Sequence, residues 1–170
     1  MSTDPNETVY LQAYDLQWLH AYQIEANRLQ ASLGKDLLGI EHIGSTAIPN
    51  MDAKPIVDIM LGIADLGDSE PIRQKLIKLG YHYFGEANVA GRLYFLLCAK
   101  HDYNLAVCQY QASIWQNNLL FRDFLRAHPE IASQYSQLKQ KIVASGVQTL
   151  LEYSNHKQDF IENVLRQANN

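Results

Sequence analysis

The chain has 170 residues, 47% of them apolar and 19% charged, with 14 Lys and Arg against 18 Asp and Glu for a net charge of -4. That length suits one domain with a real core, and the acidic balance argues against a broad polybasic nucleic-acid surface while leaving room for a local basic pocket. Cys98 and Cys108 make no disulfide framework, the polar and acidic start is no signal peptide, and no apolar run approaches the roughly 20 residues that cross a bilayer, so a cytoplasmic protein without a membrane partner is expected.

In chain order, residues 1–9 read as a disordered lead-in to a single domain over 10–170. Across 15–33, Leu16, Leu19, Ile24 and Leu29 recur at helical spacing and predict an amphipathic helix ended by Gly34. Residues 37–43 form a short apolar strand closed by Gly44, and 45–54 a loop in which Pro49, with Pro55 just beyond, forbids a long helix. Residues 56–63, IVDIMLGI, are dense in branched apolar side chains and make the clearest strand of the chain. A helix over 69–79 stops at Gly80. YHYF, RLYFLLCA and DYNLAVCQY are strand-like runs, the last two a hairpin around Lys100. From Ala112 the pattern is helical, with breaks near Pro129 and Gly146. The order predicts an α+β fold: a small mixed β-sheet flanked by helices, with a C-terminal helical segment.

The chemistry concentrates in IEHIGSTAIPNMDAKPIVDIML, residues 40–61. Gly44 lets the backbone approach a ligand closely, and the hydroxyls of Ser45 and Thr46 can donate to phosphate oxygens. The alternative is a tight turn in which both hydroxyls cap local backbone. Asp58 shares a strand face with Ile56 and Met60, where a carboxylate is costly unless it is paired, hydrogen-bonded or metal-bound. A structural pair with Lys54 therefore stands beside a site in which Asp58 holds Mg²⁺ together with substrate phosphates.

Arg92 follows Gly91 at the start of a strand expected to neighbour that of Asp58, a place from which it could clamp a phosphate. Arg122 and Arg126 lie four apart on a helix, where a solvated or salt-bridged face is the default. His42 is expected to be buried and hydrogen-bonded, orienting the loop. The six histidines lack metal-ligand spacing, so no structural zinc is expected. Tyr135, Lys139, Tyr153 and Lys157 are assigned to packing and helix surface.

HIGSTAIPNMDAKPIVDI resembles the signature of the GrpB family, with further matches in YDLQW, in Gly91-Arg92, in FRDFLRAHPEIASQYSQLK and in Tyr153, Lys157 and the following FI. The resemblance runs from about residue 10 to 168 with the motifs in order. It implies a core similar to the polymerase-β-type nucleotidyltransferase fold, in which a Gly-Ser turn binds a triphosphate and carboxylates hold two metal ions. It also implies a link to dephospho-coenzyme A kinase, behind which the family is fused in some bacteria, and a label as a folding accessory domain.

On this resemblance Gly44, Ser45, Thr46, Lys54, Arg92 and Asn104 would face phosphate or nucleotide, Asp58 would hold Mg²⁺, and Asp58 and Asp102 would be catalytic. Two departures weaken a transferase. Met60 stands where a second carboxylate would be, and Mg²⁺ has little affinity for thioether sulfur. Asn104 and Ala106 replace two family histidines, with Asp102 a candidate displaced carboxylate or a solvated turn residue. The readings that follow are a weakened nucleotidyl- or phosphoryl-transferase, a non-catalytic module binding a nucleotide or coenzyme A-like ligand, and a protein-interaction domain.

Overall fold

The branched apolar run of 56–63 becomes the strand on which the rest is organised. In a computed structural model describing residues 10–147 and 150–169, it is β2 (Ile56–Ile63) of a five-stranded sheet. The expected lead-in over 1–9 lies outside the described residues. The other strands are β1 (Gly39–Ile43), β3 (His82–Tyr83), β4 (Arg92–Leu97) and β5 (Asp102–Gln109), in the order β1-β2-β5-β4-β3. Among the described residues β2 and β5 pair in parallel, and the other pairs of strands are antiparallel.

Helices α1 (Gln17–Leu33) and α2 (Glu70–Lys78) cover one face. Val57, Ile59, Leu61 and Ile63 join Leu105 and Val107 there in the main core with Trp18, Leu29 and Leu76. Alternation along each strand sends the other residues to the opposite face, which is partly covered by α3 (Ser113–Ala127). Behind α3 stand α4 (Pro129–Ala144) and α5 (Leu150–Ala168). The arrangement is the expected α+β one and is consistent with a nucleotidyltransferase-like fold. Among the described residues no helix is long and apolar enough to cross a membrane.

Two expectations need correction. The α1 helix ends at Gly34 as expected, but of the four residues that mark it only Leu29 is buried, with Leu16 64% and Ile24 69% exposed. The buried stripe is Trp18, Ala21, Glu25, Leu29 and Leu33. Glu25 hides within it because the Tyr81 hydroxyl donates to its carboxylate at 2.7 Å and Arg28 pairs with it at 2.6 Å, so a charged residue tolerates the core side. Second, the strand of Arg92 does not adjoin that of Asp58, because β5 lies between them. The hairpin docks through β5, whose Tyr103, Leu105, Val107 and Cys108 are buried, and leaves β4 toward the edge.

The seat of α3 depends on two small residues. Gly39 and Gly62 face one another across β1 and β2. A Cβ built on either would come within 2.6–2.7 Å of the Tyr110 ring and within 2.9 Å or less of Trp115. Two glycines thus make a flat floor on which these rings meet edge-to-face at 5.1 Å. Met60, Cys108 and Ile43 complete that apolar cluster. The loop after β1 is fixed separately, by Ile48 and Met51 buried among Leu125, Tyr135 and Val164 of the three C-terminal helices. Asn50 takes a left-handed conformation (φ 59°) in that loop, which Asn adopts more readily than most residues.

Candidate functional site

Gly44 is required twice over. Its φ of 70° is left-handed, and a Cβ there would lie 2.3 Å from Asp58 Oδ2. The register that pairs Ile43 with Asp58 brings the turn onto the carboxylate. After Gly44 the chain makes one turn of 3₁₀ helix, Ser45–Ala47, closed by the Ile48 N–H donating to the Ser45 carbonyl at 3.1 Å.

The two hydroxyls of this turn face different surroundings. Thr46 is buried, its Oγ1 3.0 Å from His42 Nε2. His42 stacks on Tyr22 with centroids 4.7 Å apart. Burial, with the nearby Arg126 and Arg122 guanidiniums, pushes its imidazole down to about 4, so it is neutral and orients the loop, as expected. Ser45 lines the cleft beside Asp58.

Asp58 is half-buried. Burial raises its carboxyl above the usual range, against the hydrogen bond from Asn104 and the charges of Lys54 and Lys157. Asn104, opposite Asp58 on β5, donates its amide Nδ2 to Oδ1 at 2.7 Å. The Asn104 Oδ1 is buried and has no hydrogen-bond partner among the described residues. Met60 is 1% exposed inside the apolar cluster under Trp115, with Ala106 opposite it in register. A second carboxylate at position 60 would therefore point into hydrocarbon, and a two-metal arrangement does not fit. A single hard cation would find donors of the kind Mg²⁺ takes in the Asp58 carboxylate and, once the Asn104 carboxamide turns its oxygen rather than its nitrogen toward Asp58, in that amide oxygen.

Of the other expected residues, Lys54 lines a small annex of the cleft with Asp58 and Asn104. Asp102 is exposed at the start of β5 opposite Ile56, and does not line the cleft. Arg92 shares the sheet face of Asp58 but sits opposite Cys108. Its guanidinium donates to the carbonyls of Glu86 and Ala87 at 3.2 Å each and lies 4.7 Å over the Tyr94 ring. Arg92 thus holds its own turn rather than reaching the Gly44 turn. Arg122 is buried rather than solvated, bonded to Glu41 at 2.6 Å and to the His42 carbonyl at 2.9 Å. Arg126 donates twice to the Ala47 carbonyl, at 3.0 and 2.8 Å. These two arginines clamp α3 onto both ends of the turn.

The largest correction concerns the lysines assigned to helix surface. Lys139 is 1% exposed, and its ammonium donates to Ser45 Oγ at 2.9 Å and to the Asp52 carbonyl. Burial and the charge of Lys157 push it down to about 7, against Asp52 and Asp58. Lys157 lines both parts of the cleft. Burial and Lys54 push it down to about 8, against Asp58. A signal was present in Tyr135-x-x-x-Lys139 and Tyr153-x-x-x-Lys157. That spacing brings each ammonium to the ring one turn earlier, here at 4.9 and 4.2 Å from the centroids.

The main cleft has a volume of about 250 Å³ and the annex about 70 Å³. A larger depression of about 390 Å³ lies on the far side of the loop against α4, but neither Asp58 nor a lysine lines it. The chemistry therefore singles out the smaller cleft.

Comparison with known proteins agrees with this architecture. The YqkA protein of Bacillus subtilis is 33% identical over 93% of this chain, which spans 46% of YqkA's length. A Mycobacterium leprae protein named dephospho-CoA kinase is 26% identical over 89% of this chain, again matched over less than half of its own length, 44%. The crystal structure of conserved protein GrpB from Enterococcus faecalis superposes with a TM-score of 0.84 at 28% identity, covering 94% of this chain and 96% of that one. The family model described as GrpB protein matches residues 8–167, and the chain belongs to that family.

Proposed function

We propose that this chain binds a small phosphate-bearing ligand, a nucleotide or a coenzyme A-like phosphate, in the cleft between the Gly44 turn and α5. The observation that carries this reading is the convergence of Lys54, Lys139 and Lys157 around Ser45 and Asp58, with Asp52 the other carboxylate acting on Lys139. The lysines come from a loop and two helices far apart in sequence, and burying ammonium groups together is costly unless an anion offsets them. Ser45 suits the task, because Lys139 occupies an acceptor site of its hydroxyl and the hydroxyl proton remains to donate elsewhere.

Asp58, with the Asn104 amide oxygen after that carboxamide turns over, would hold one Mg²⁺ alongside the ligand's phosphates. When bound, that ion neutralises phosphate charge. The chain's own residues position the phosphate: Lys157 and Lys54 by charge, Ser45 by its hydroxyl, and Gly44 by leaving room for Asp58. Met60 in its apolar cluster supports binding over two-metal transfer. Cys98 and Cys108 are free thiols, which suits a reducing cytoplasmic setting.

The test is calorimetric titration of ATP, CTP, GTP and dephospho-coenzyme A, with and without Mg²⁺, into wild type, Asp58→Asn and Lys157→Met. Mg²⁺-dependent binding in wild type is expected to lose its metal dependence in Asp58→Asn and to weaken at least tenfold in Lys157→Met. Absence of binding by wild type to all four would refute the reading.

A further inference from the structure

The cleft changes character along its length. Lys157, Ile161 and Leu165 all line it, and their four-residue spacing puts them on one stripe of α5, running over about 12 Å from an ammonium to two aliphatic side chains. The facing helix has a matching sequence. Phe121 of α3 lines the apolar end, with Asn117 and Asn118 one turn before it. The Phe121 ring is held edge-on by Tyr135 at 5.5 Å, and Tyr135 is itself stacked on Phe160 at 5.0 Å, so the aromatic wall is braced. The Asn118 amide nitrogen donates to the Ile114 carbonyl at 2.7 Å, which fixes that carboxamide and presents its oxygen as an acceptor.

A bare phosphate would use only the Gly44 end. An alkyl phosphate would use the apolar wall but leave two carboxamides without a purpose. A planar group with a hydrogen-bonding edge uses all of it, since bases stack on aromatic rings and carboxamides pair with base edges.

We propose that the α3–α5 end of the cleft is a nucleobase subsite, with Phe121, Ile161 and Leu165 against the base and Asn117 and Asn118 at its edge. The ligand class is then a nucleoside phosphate, its phosphate at Ser45 and Lys157. This rests on the phosphate reading above.

The experiment titrates the full chain, with Mg²⁺ present, with inorganic phosphate, ribose 5-phosphate, AMP, CMP and the free nucleosides. AMP or CMP is expected to bind at least tenfold more tightly than ribose 5-phosphate. Asn117→Ala, a change at an exposed position, and Phe121→Leu, checked for a native melting transition, should each remove most of that advantage and leave ribose 5-phosphate unchanged. Equal affinity for ribose 5-phosphate and the nucleotides overturns the subsite while the phosphate reading stands. Nucleosides binding as tightly as nucleotides would keep the subsite and remove the phosphate reading. No binding by any of these compounds overturns the subsite, and failure of ATP, CTP, GTP and dephospho-coenzyme A to bind as well overturns both.

Discussion

The two faces of β2 follow different rules. On one, Val57, Ile59, Leu61 and Ile63 are at most 1% exposed and meet a continuous apolar core. On the other, the environment changes within the strand: Gly62 and Met60 lie under the Tyr110 and Trp115 rings in one apolar cluster, and Asp58 opens into a lysine-lined cleft. One step of two residues, about 7 Å, takes the chain from hydrocarbon to a charged site. The edge of the site is therefore set by where Trp115 and its neighbours stop covering the sheet, rather than by β2 itself.

The sharpest way to break that comparison is to move the edge. Met60→Asp would place a second carboxylate under Trp115 with no cation in its cluster, at an expected cost of about 3–5 kcal/mol. On the opposite face Ile59→Ala is expected to cost about 2–5 kcal/mol through a cavity, and only the first loss should depend on pH. A buried, unpaired Asp has a folded pKa above its unfolded one, so its penalty is full at pH above the folded value and fades as pH falls. Urea denaturation at pH 7 and pH 5 measures both. Met60→Asp costing less than about 1 kcal/mol and taking up a second Mg²⁺ would show that the boundary is not where Trp115 puts it.

A smaller effect probes the contact between turn and carboxylate. Gly44→Ala is expected to destabilise by about 2 kcal/mol, from a left-handed backbone at a residue with a Cβ and from the 2.3 Å approach to Asp58 Oδ2. Asp58→Ala removes the second cause and leaves the first. Denaturation of the two single variants and the double variant should then show a coupling of about 1 kcal/mol. Strict additivity would mean the turn moves aside freely and that glycine serves only the backbone.

Which features were legible in the sequence follows the same division. β2 emerges with its expected bounds because branched apolar density is a local property. The stretch around Gly44 and Asp58 identified one wall of the cleft. The α1 face was obscured because its buried stripe contains Glu25, while Leu16 and Ile24 lie outside it. Arg92 was misplaced because a hairpin can dock through either strand, and local pattern does not say which. Lys139 and Lys157 were assigned to the surface because lysines on amphipathic helices usually belong there. Lys139 is buried and Lys157 half-buried only once α4 and α5 close over the loop, so only the repeated Tyr-x-x-x-Lys spacing hinted at it.

Lys139 allows the gentlest test of this difference between the faces, because it makes a stability term that titrates. Its pKa falls from the ordinary 10.5 to about 7 on folding. Between those values the unfolded chain carries a proton that the folded chain lacks, so stability from this group rises with pH across that window and is flat below about pH 6. The slope is at most about 1.4 kcal/mol per pH unit. Lys157 adds a similar rise from about 8, but it largely cancels when wild type is compared with Lys139→Met. The stability difference, wild type minus Lys139→Met, is therefore expected to climb from pH 7 to 10. A difference flat across that range would mean Lys139 stays a full ammonium in the fold, bonded to Ser45 as a fixed cation, and that it adds no pH sensitivity to the polar face.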